Sequence, residues 1–285
     1  MRLLVFGRTG QVATELARFA PDAVFLGRDG ADLAEPDTCV NAIRGYAPEA
    51  VINAAAYTAV DRAEEEQALA MRVNGGAPGA IAQACSRLDI PLVHISTDYV
   101  FDGRGRAAWC PGDSPAPQNT YGRSKLAGEQ AIAQAGGVHA ILRTAWVFSA
   151  NGNNFVRTML RLSETREVLS IVDDQVGGPT PAGYIATACL AIAEQLLANP
   201  EKTGIYHYSG MPDVSWKTFA EAIFAAAGRN VSISGIPTSA YPTPAQRPLN
   251  SRLDCTTTET IYGLQRPDWR AGLTDVLAEL GETSR

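Results

Sequence analysis

Leu3-Leu4-Val5-Phe6-Gly7-Arg8-Thr9-Gly10-Gln11-Val12-Ala13 is the stretch on which the reading of this chain turns. Four apolar residues have the length of a buried strand, and a glycine turn follows. A helical pattern through Leu16, Ala17 and Phe19 comes next. Gly7 suits a tight turn, Gly10 lets backbone approach a pyrophosphate, and Ala13 stands where helix packs on strand. The free N–H groups at the helix start then face the phosphates. Gly-x-x-Gly-x-x-Ala alone also fits an ordinary βα turn; its place between strand and helix favours a dinucleotide site.

Ala23-Val24-Phe25-Leu26 is the next apolar run and ends in Gly27-Arg28-Asp29. An acid there binds a ribose 2′-OH, whereas an arginine pairs with a 2′-phosphate. Arg28 and Asp29 are adjacent, so NADPH is preferred with NADH as the alternative, and Arg28 equally fits a surface charge. Asp32-Leu33 lies in a loop within reach of the adenine. A third strand, Ala50 to Ala56, ends in small residues that let a flat cofactor lie close to the backbone.

Thr58-Ala59-Val60-Asp61 has capping-box spacing and predicts a helix, with Glu64-Glu65-Glu66 as a solvated acidic face. Asn74 reads either as a helix hydrogen bonder or as a group placed under the sheet. Pro91 to Thr97 is a strand with His94 as a core histidine. Ser96 and Thr97 at its tip serve as strand-end hydrogen bonders or face the same crevice as the glycine turn. After a Pro- and Gly-rich loop, a helix over 121–135 opens with Tyr121-Gly122-Arg123-Ser124-Lys125. A phenol and an ammonium four residues apart share a helix face. A nearby cation should lower the phenol from its usual pKa of about 10. The same spacing also fits a solvated surface pair.

Further on, the pattern predicts one strand over 139–148, a loop at 151–154, a helix at 155–162 and a strand at 168–172. A helix at 182–197, a strand at 204–208 and a helix at 216–227 capped by Ser215 follow. The tail from Pro237 is proline-rich and reads as irregular until a helix near 273–280. The fold class is α/β: a doubly wound parallel Rossmann sheet with a smaller C-terminal lobe. Residues 1–150 form the dinucleotide-binding domain. Residues 151–285 are mainly a substrate-binding lobe, with some segments returning to the sheet.

A chain of 285 residues buries a core without staples, and its net charge of −6 argues against broad nucleic-acid binding. Five scattered cysteines without a Cys-x-x-Cys pair suggest reduced thiols and a cytoplasmic protein. The first apolar run is too short for a signal peptide or a membrane span.

Taken in order, the glycine turn, Asn53-Ala54-Ala55-Ala56-Tyr57-Thr58, Ser96-Thr97-Asp98-Tyr99-Val100-Phe101, Tyr121-x-x-x-Lys125, Arg143-Thr144-Ala145-Trp146, Gly152-Asn153-Asn154-Phe155 and Arg247-Pro248-Leu249-Asn250-Ser251-Arg252 carry a resemblance. The chain resembles the dTDP-4-dehydrorhamnose reductase family of extended short-chain dehydrogenase/reductases, from Phe6 to Asp254. The resemblance implies Thr97, Tyr121 and Lys125 as the catalytic set, reducing a dTDP-4-keto-6-deoxy sugar with NADPH. It implies that Tyr121 donates the proton while Lys125 tunes it and holds the nicotinamide ribose. Gly7, Thr9, Gly10, Gln11, Val12, Arg28, Asp32, Leu33, Ala55, Ala56 and Thr58 would line the cofactor. Asp98, Tyr99, Val100 and Trp146 would contact the sugar, and Asn153, Asn154 and Arg247 the nucleotide side.

Some relatives dimerise through a metal such as Mg held by carboxylates, one matching Glu15. Here Gly183 stands near the place of another acid, so no metal is expected, and the chain reads as a monomer or homodimer. Two rivals stand beside the reductase. One is a sugar-nucleotide 4,6-dehydratase or epimerase of the same fold; a dehydratase needs an extra acid, commonly directly after Thr97-Asp98, where this chain has Tyr99. A non-catalytic subunit would have lost the Thr97, Tyr121 and Lys125 set, which is present here.

Overall fold

The computed structural model describes residues 1–282. The first half alternates β1 (Leu3–Phe6), α1 (Gln11–Phe19), β2 (Val24–Leu26), α2 (Pro36–Tyr46), β3 (Ala50–Asn53), α3 (Gln67–Met71), α4 (Ala77–Arg87), β4 (Leu92–Thr97), α5 (Thr120–Ala135) and β5 (His139–Thr144). The second half supplies β6 (Val147–Phe148), α6 (Phe155–Ser163), β7 (Val168–Val172), β8 (Val176–Gly177), β9 (Thr180–Pro181) and α7 (Ala182–Ala198). It continues through β10 (Gly204–His207), β11 (Val214–Ser215), α8 (Trp216–Ala226), β12 (Ser232–Ile236), β13 (Asn250–Ser251), α9 (Thr256–Tyr262) and α10 (Trp269–Leu280).

Six strands form one sheet in the order β10-β5-β4-β3-β1-β2, and every neighbouring pair is parallel. β1 and β3 are buried along their whole length, as continuous apolar runs covered on both faces must be. Leu16 of α1 and Ile185, Cys189 and Ile192 of α7 cover one face. Cys39 and Ile43 of α2, Ile81 of α4 and Ile132 of α5 cover the other. The chain leaves β1 for β2 on one side and places β3 on the other, so the strand order reverses between β1 and β3. A crevice therefore opens beyond the carboxyl ends of these two strands. Phe6, Asn53 and His94 stand in register across β1, β3 and β4, so β1 and β3 finish level while β4 runs on to Thr97.

A separate core gathers Val156 and Leu160 of α6, Phe219 and Ile223 of α8, and Trp269 and Leu273 of α10. The parallel pair β7–β12 adds Leu169 and Ile171 to it.

Four local expectations are corrected. The expected strand over 139–148 ends at Thr144, because Trp146 takes a left-handed φ of 50°. Val147 and Phe148 then pair with β9 instead. No helix opens at Thr58: Asp61 accepts from Ala245 N at 3.2 Å and from the Arg247 guanidinium at 2.7 Å, which takes it out of a cap. The acidic run is not merely solvated, since Glu64 and Glu66 accept hydrogen bonds from Thr120 and Tyr57. The tail contains α9, whose four threonines have low helix propensity. Thr258 donates to His207 O at 2.6 Å, and Gly263 ends the helix in a left-handed conformation, φ 72°.

Candidate active site

Two caps fix the start of α5. Asn119 Oδ1 accepts from Gly122 N at 2.8 Å, and Glu64, distant in sequence, accepts from Thr120 N and Oγ1 at 2.7 and 3.0 Å. Tyr121 therefore stands in the first helical turn. A Cβ on Gly122 would fall 2.2 Å from Tyr99 O, so only glycine lets the helix lie this close to the end of β4. Behind α5, Asn74 sits in a widened π-type turn, Arg72–Gly76. It bonds Tyr57 N and O at 2.8 and 3.0 Å and Ser124 Oγ at 3.0 Å. Of the two readings left open for Asn74, the structure shows a helical residue that reaches out to pin the chain after β3 onto α5.

Thr97 closes β4; its Oγ1 accepts from Tyr99 N at 3.2 Å and donates to Asp98 Oδ1 at 3.1 Å. Asp98 is 2 % exposed, and its Oδ2 has no hydrogen-bond partner among the described residues. Burial pushes its carboxyl up to about 6. The Tyr99 and Tyr121 rings meet edge to face at 5.5 Å and 78°. Burial pushes the Tyr121 phenol up to about 12; hydrogen bonding to Thr97 works against this, and the charge of Asp98 adds to it.

The expected lowering of Tyr121 by Lys125 is thus corrected. Lys125 Nζ turns toward β4, donating to Ile95 O at 2.7 Å and lying 3.1 Å from His94 Nε2. Burial lowers this lysine to about 8, opposed by the charge of Glu129 one turn further on. Glu129 in turn holds Arg143 of β5 at 2.6 Å and accepts from Ser96 Oγ, and the guanidinium lies over the Phe101 ring at 5.0 Å. Sequence reading passed over His94, Glu129 and Arg143 as site-building residues. The i, i+4 spacing of Lys125 and Glu129 was the available signal.

The glycine turn meets this cluster from β1. Gly7 has φ 115°, and a Cβ there would sit 3.3 Å from Ala54 C and Ala55 N, so its lack of a side chain is required twice over. A Cβ on Gly10, the extended N-cap of α1, would meet nothing within 4 Å, and no acid lies in that first turn. Open space over unpaired helix N–H groups fits a dinucleotide phosphate. Thr9, Arg28 and Thr58 are exposed around this crevice and Ala56 is half-buried. Ala55 N donates to Asn53 Oδ1 at 3.2 Å, and Asp32 Oδ1 accepts from Ala34 N at 2.9 Å. Val12, Leu33 and Val100 turn their side chains into the core, leaving only backbone for a ligand. Arg8, which sequence reading did not single out, pairs with Asp29 at 3.0 Å.

Trp146 stacks on Trp216 with ring centroids 3.5 Å apart and planes 9° apart, and Phe155 packs against Trp216. Trp216 Nε1 donates to Gln175 Oε1 at 3.1 Å. Trp216 was read only as a helix residue. Asn154 caps α6 and donates to Gln11 Oε1 at 3.0 Å, so its amide joins the lobe to the glycine turn, while Asn153 is exposed. Arg247 is held by Asp61, and Asn119 Nδ2 donates to Gln246 O at 2.8 Å, so the tail crosses the start of α5. Glu15 is buried 3.2 Å from Arg18, and among the described residues no three His, Cys, Asp or Glu side chains converge as metal ligands.

The chain matches the family described as RmlD substrate binding domain over residues 1–282. It is 46% identical to a dTDP-4-dehydrorhamnose reductase of Burkholderia thailandensis, over 95% of this chain and 96% of that one. With the Shigella flexneri reductase it shares 40%, over 100% and 99%. Among solved structures, a dTDP-4-dehydrorhamnose reductase from Clostridium acetobutylicum superposes with a TM-score of 0.92 at 32% identity, covering 99% of this chain and 100% of that one. The Bacillus anthracis reductase in complex with NADP gives 0.90 at 32%, covering 98% and 99%. A UDP-glucose 4-epimerase from Brucella ovis, at 18% identity and a TM-score of 0.80, shares the fold over 99% of each chain. The glycine turn, the Thr97 tip and the Tyr121 helix thus sit in a chain that belongs to the dTDP-4-dehydrorhamnose reductase family of extended short-chain dehydrogenase/reductases.

Proposed function

We infer that this chain reduces the 4-keto group of dTDP-4-dehydro-6-deoxy-L-mannose to give dTDP-L-rhamnose for polysaccharide synthesis, with NADPH as reductant. The observation that carries the reading is the seating of Tyr121 against Tyr99, just past Thr97 at the end of β4, beside the strand reversal where the glycine turn opens. NADPH, when bound, supplies the hydride that C4 of the sugar receives. Gly7, Thr9, Gly10, Gln11 and Val12 would hold its pyrophosphate through backbone N–H groups. Ala55, Ala56 and Thr58 border its nicotinamide half, and Asp32 and Leu33 its adenosine half. Arg8 and Arg28 give the turn two exposed guanidiniums, which favours a 2′-phosphate over a bare ribose.

Thr97 and Tyr121 would hold the keto oxygen, and Tyr121 gives it the proton. A phenol raised to about 12 is fully protonated at neutral pH and so ready to donate. Asp98, Tyr99, Val100 and Trp146 would shape the sugar pocket, and Asn153, Asn154 and Arg247 the nucleotide side. The lobe after residue 150 would carry most of that recognition. The cysteines of the chain are free, which suits a reducing cytoplasm. Purified protein should oxidise NADPH faster than NADH when given the dTDP-4-keto sugar. Tyr121→Phe should lower kcat about 10²- to 10⁴-fold without unfolding. Turnover of another keto-sugar nucleotide but not this one would overturn the substrate assignment.

A further inference from the structure

The wholly buried imidazole of His94 lies between two side chains. Asn53 Nδ2 is 3.1 Å from Nδ1, and Lys125 Nζ is 3.1 Å from Nε2. The orientation of Asn53 is fixed from its other side, because Oδ1 accepts the Ala55 N–H at 3.2 Å. Turning the amide over would set its NH₂ against that N–H. Asn53 therefore donates to Nδ1, and the neutral ring must carry its hydrogen on Nε2. A doubly protonated ring would oppose donor to donor at Nδ1, and burial, with Lys125 beside it, holds His94 far below its usual pKa. The Nε2–H then points at Lys125 Nζ. An ammonium has three donors and no acceptor. An uncharged amine can accept from Nε2–H while donating to Ile95 O at 2.7 Å.

We propose that His94 is a seat for the uncharged form of Lys125, and that proton uptake drives the lysine off this seat toward Tyr121. His94 is then a positioning residue that ties the charge of Lys125 to its place in the site. The inference rests on the role at the nicotinamide ribose that the family resemblance implies for Lys125. The groups around the amine agree with it. Glu129 on α5 favours the ammonium but is already engaged by Arg143 of β5. Asp98 acts from the Tyr121 side, and β3 offers only neutral Asn53. Burial outweighs Glu129 and brings the lysine to about 8, so both forms are populated near neutral pH.

Two measurements on the full chain test this. With ¹⁵N-labelled histidine, the His94 ring, identified among three histidines by its response to Lys125→Met, should remain the Nε2–H tautomer from about pH 6 to about pH 9. An Nδ1–H tautomer overturns the proposal. His94→Gln can turn its carbonyl toward the ammonium. It should move the alkaline limb of NADPH binding, followed by nucleotide fluorescence, upward by about one pH unit, a tenfold gain in proton affinity. An unmoved limb in a folded variant overturns the proposal. Wild-type protein that binds no NADPH at any pH would defeat the proposed function instead, and the tautomer would still decide the role of His94.

Discussion

Glu129 on α5 and Arg143 on β5 meet at 2.6 Å with side chains 3% and 1% exposed, between the sheet and the helix that also carries Tyr121 and Lys125. A buried pair costs desolvation that its mutual attraction barely offsets, but removing one member strands the other. Arg143→Met should lower unfolding stability by about 3–5 kcal/mol in urea titration, and Glu129→Met with Arg143→Met should recover most of it. A single variant within about 1 kcal/mol of wild type would show that the pair does not clamp α5 to the sheet.

Gly10→Ala separates phosphate binding from folding. The added methyl meets nothing within 4 Å, so thermal stability should stay within a degree or two, while NADPH binding weakens about tenfold or more as the methyl enters the space over the helix N-terminus. Gly7→Ala differs, because φ 115° strains any other residue, and it should lose about 1–3 kcal/mol of stability as well. Unchanged NADPH affinity in folded Gly10→Ala would place the pyrophosphate elsewhere.

Asp98 gives the stability curve a pH signature. Its folded-state pKa of about 6 lies above the ordinary value, so the native protein holds this proton more tightly than the unfolded chain. The corresponding stability is present in full below about pH 4 and is lost as pH rises through 6. Buried His94 and His207, with lowered pKa values, act oppositely: their contribution is present above about pH 6.5 and is lost as pH falls. Comparing wild type with Asp98→Asn cancels the histidines. The wild type should lose about 3 kcal/mol relative to the variant between pH 4 and about pH 7. A difference independent of pH would mean that the carboxyl titrates normally.

Trp216→Leu should raise KM for the nucleotide sugar roughly two- to tenfold, the worth of one aromatic pair, with KM for NADPH unchanged. A rise in both constants would mean that Trp216 supports the whole fold rather than the plane of Trp146.

The sheet was legible because β1, β3 and β4 each open on a short apolar run with punctuation of its own. The glycine turn was legible because backbone geometry, not side-chain chemistry, selects Gly7. What sequence hid were relations across the chain. Glu64 caps a helix that begins 56 residues later, and nothing local distinguishes it from Glu65. Thr58 and Asp61 have capping spacing, yet Asp61 is taken by Arg247, 186 residues away. Trp146 interrupts an apolar run through its backbone angle, which composition does not encode. The direction of Lys125 depended on His94, which reads as ordinary core from its neighbours alone.

β10 has a consequence for the order in which the protein is made. It lies beside β5, Tyr208 N donates to Arg143 O at 2.9 Å, and α7 covers the same sheet. A nascent chain that has emerged only to β5 therefore shows the ribosome exit a sheet with an open edge and one face covered only by α1. Some sixty further residues, including all of α6 and α7, must be synthesised before that edge is closed. Slow translation between 150 and 207 would prolong the period in which a chaperone, or another unfinished copy, can claim the edge of β5.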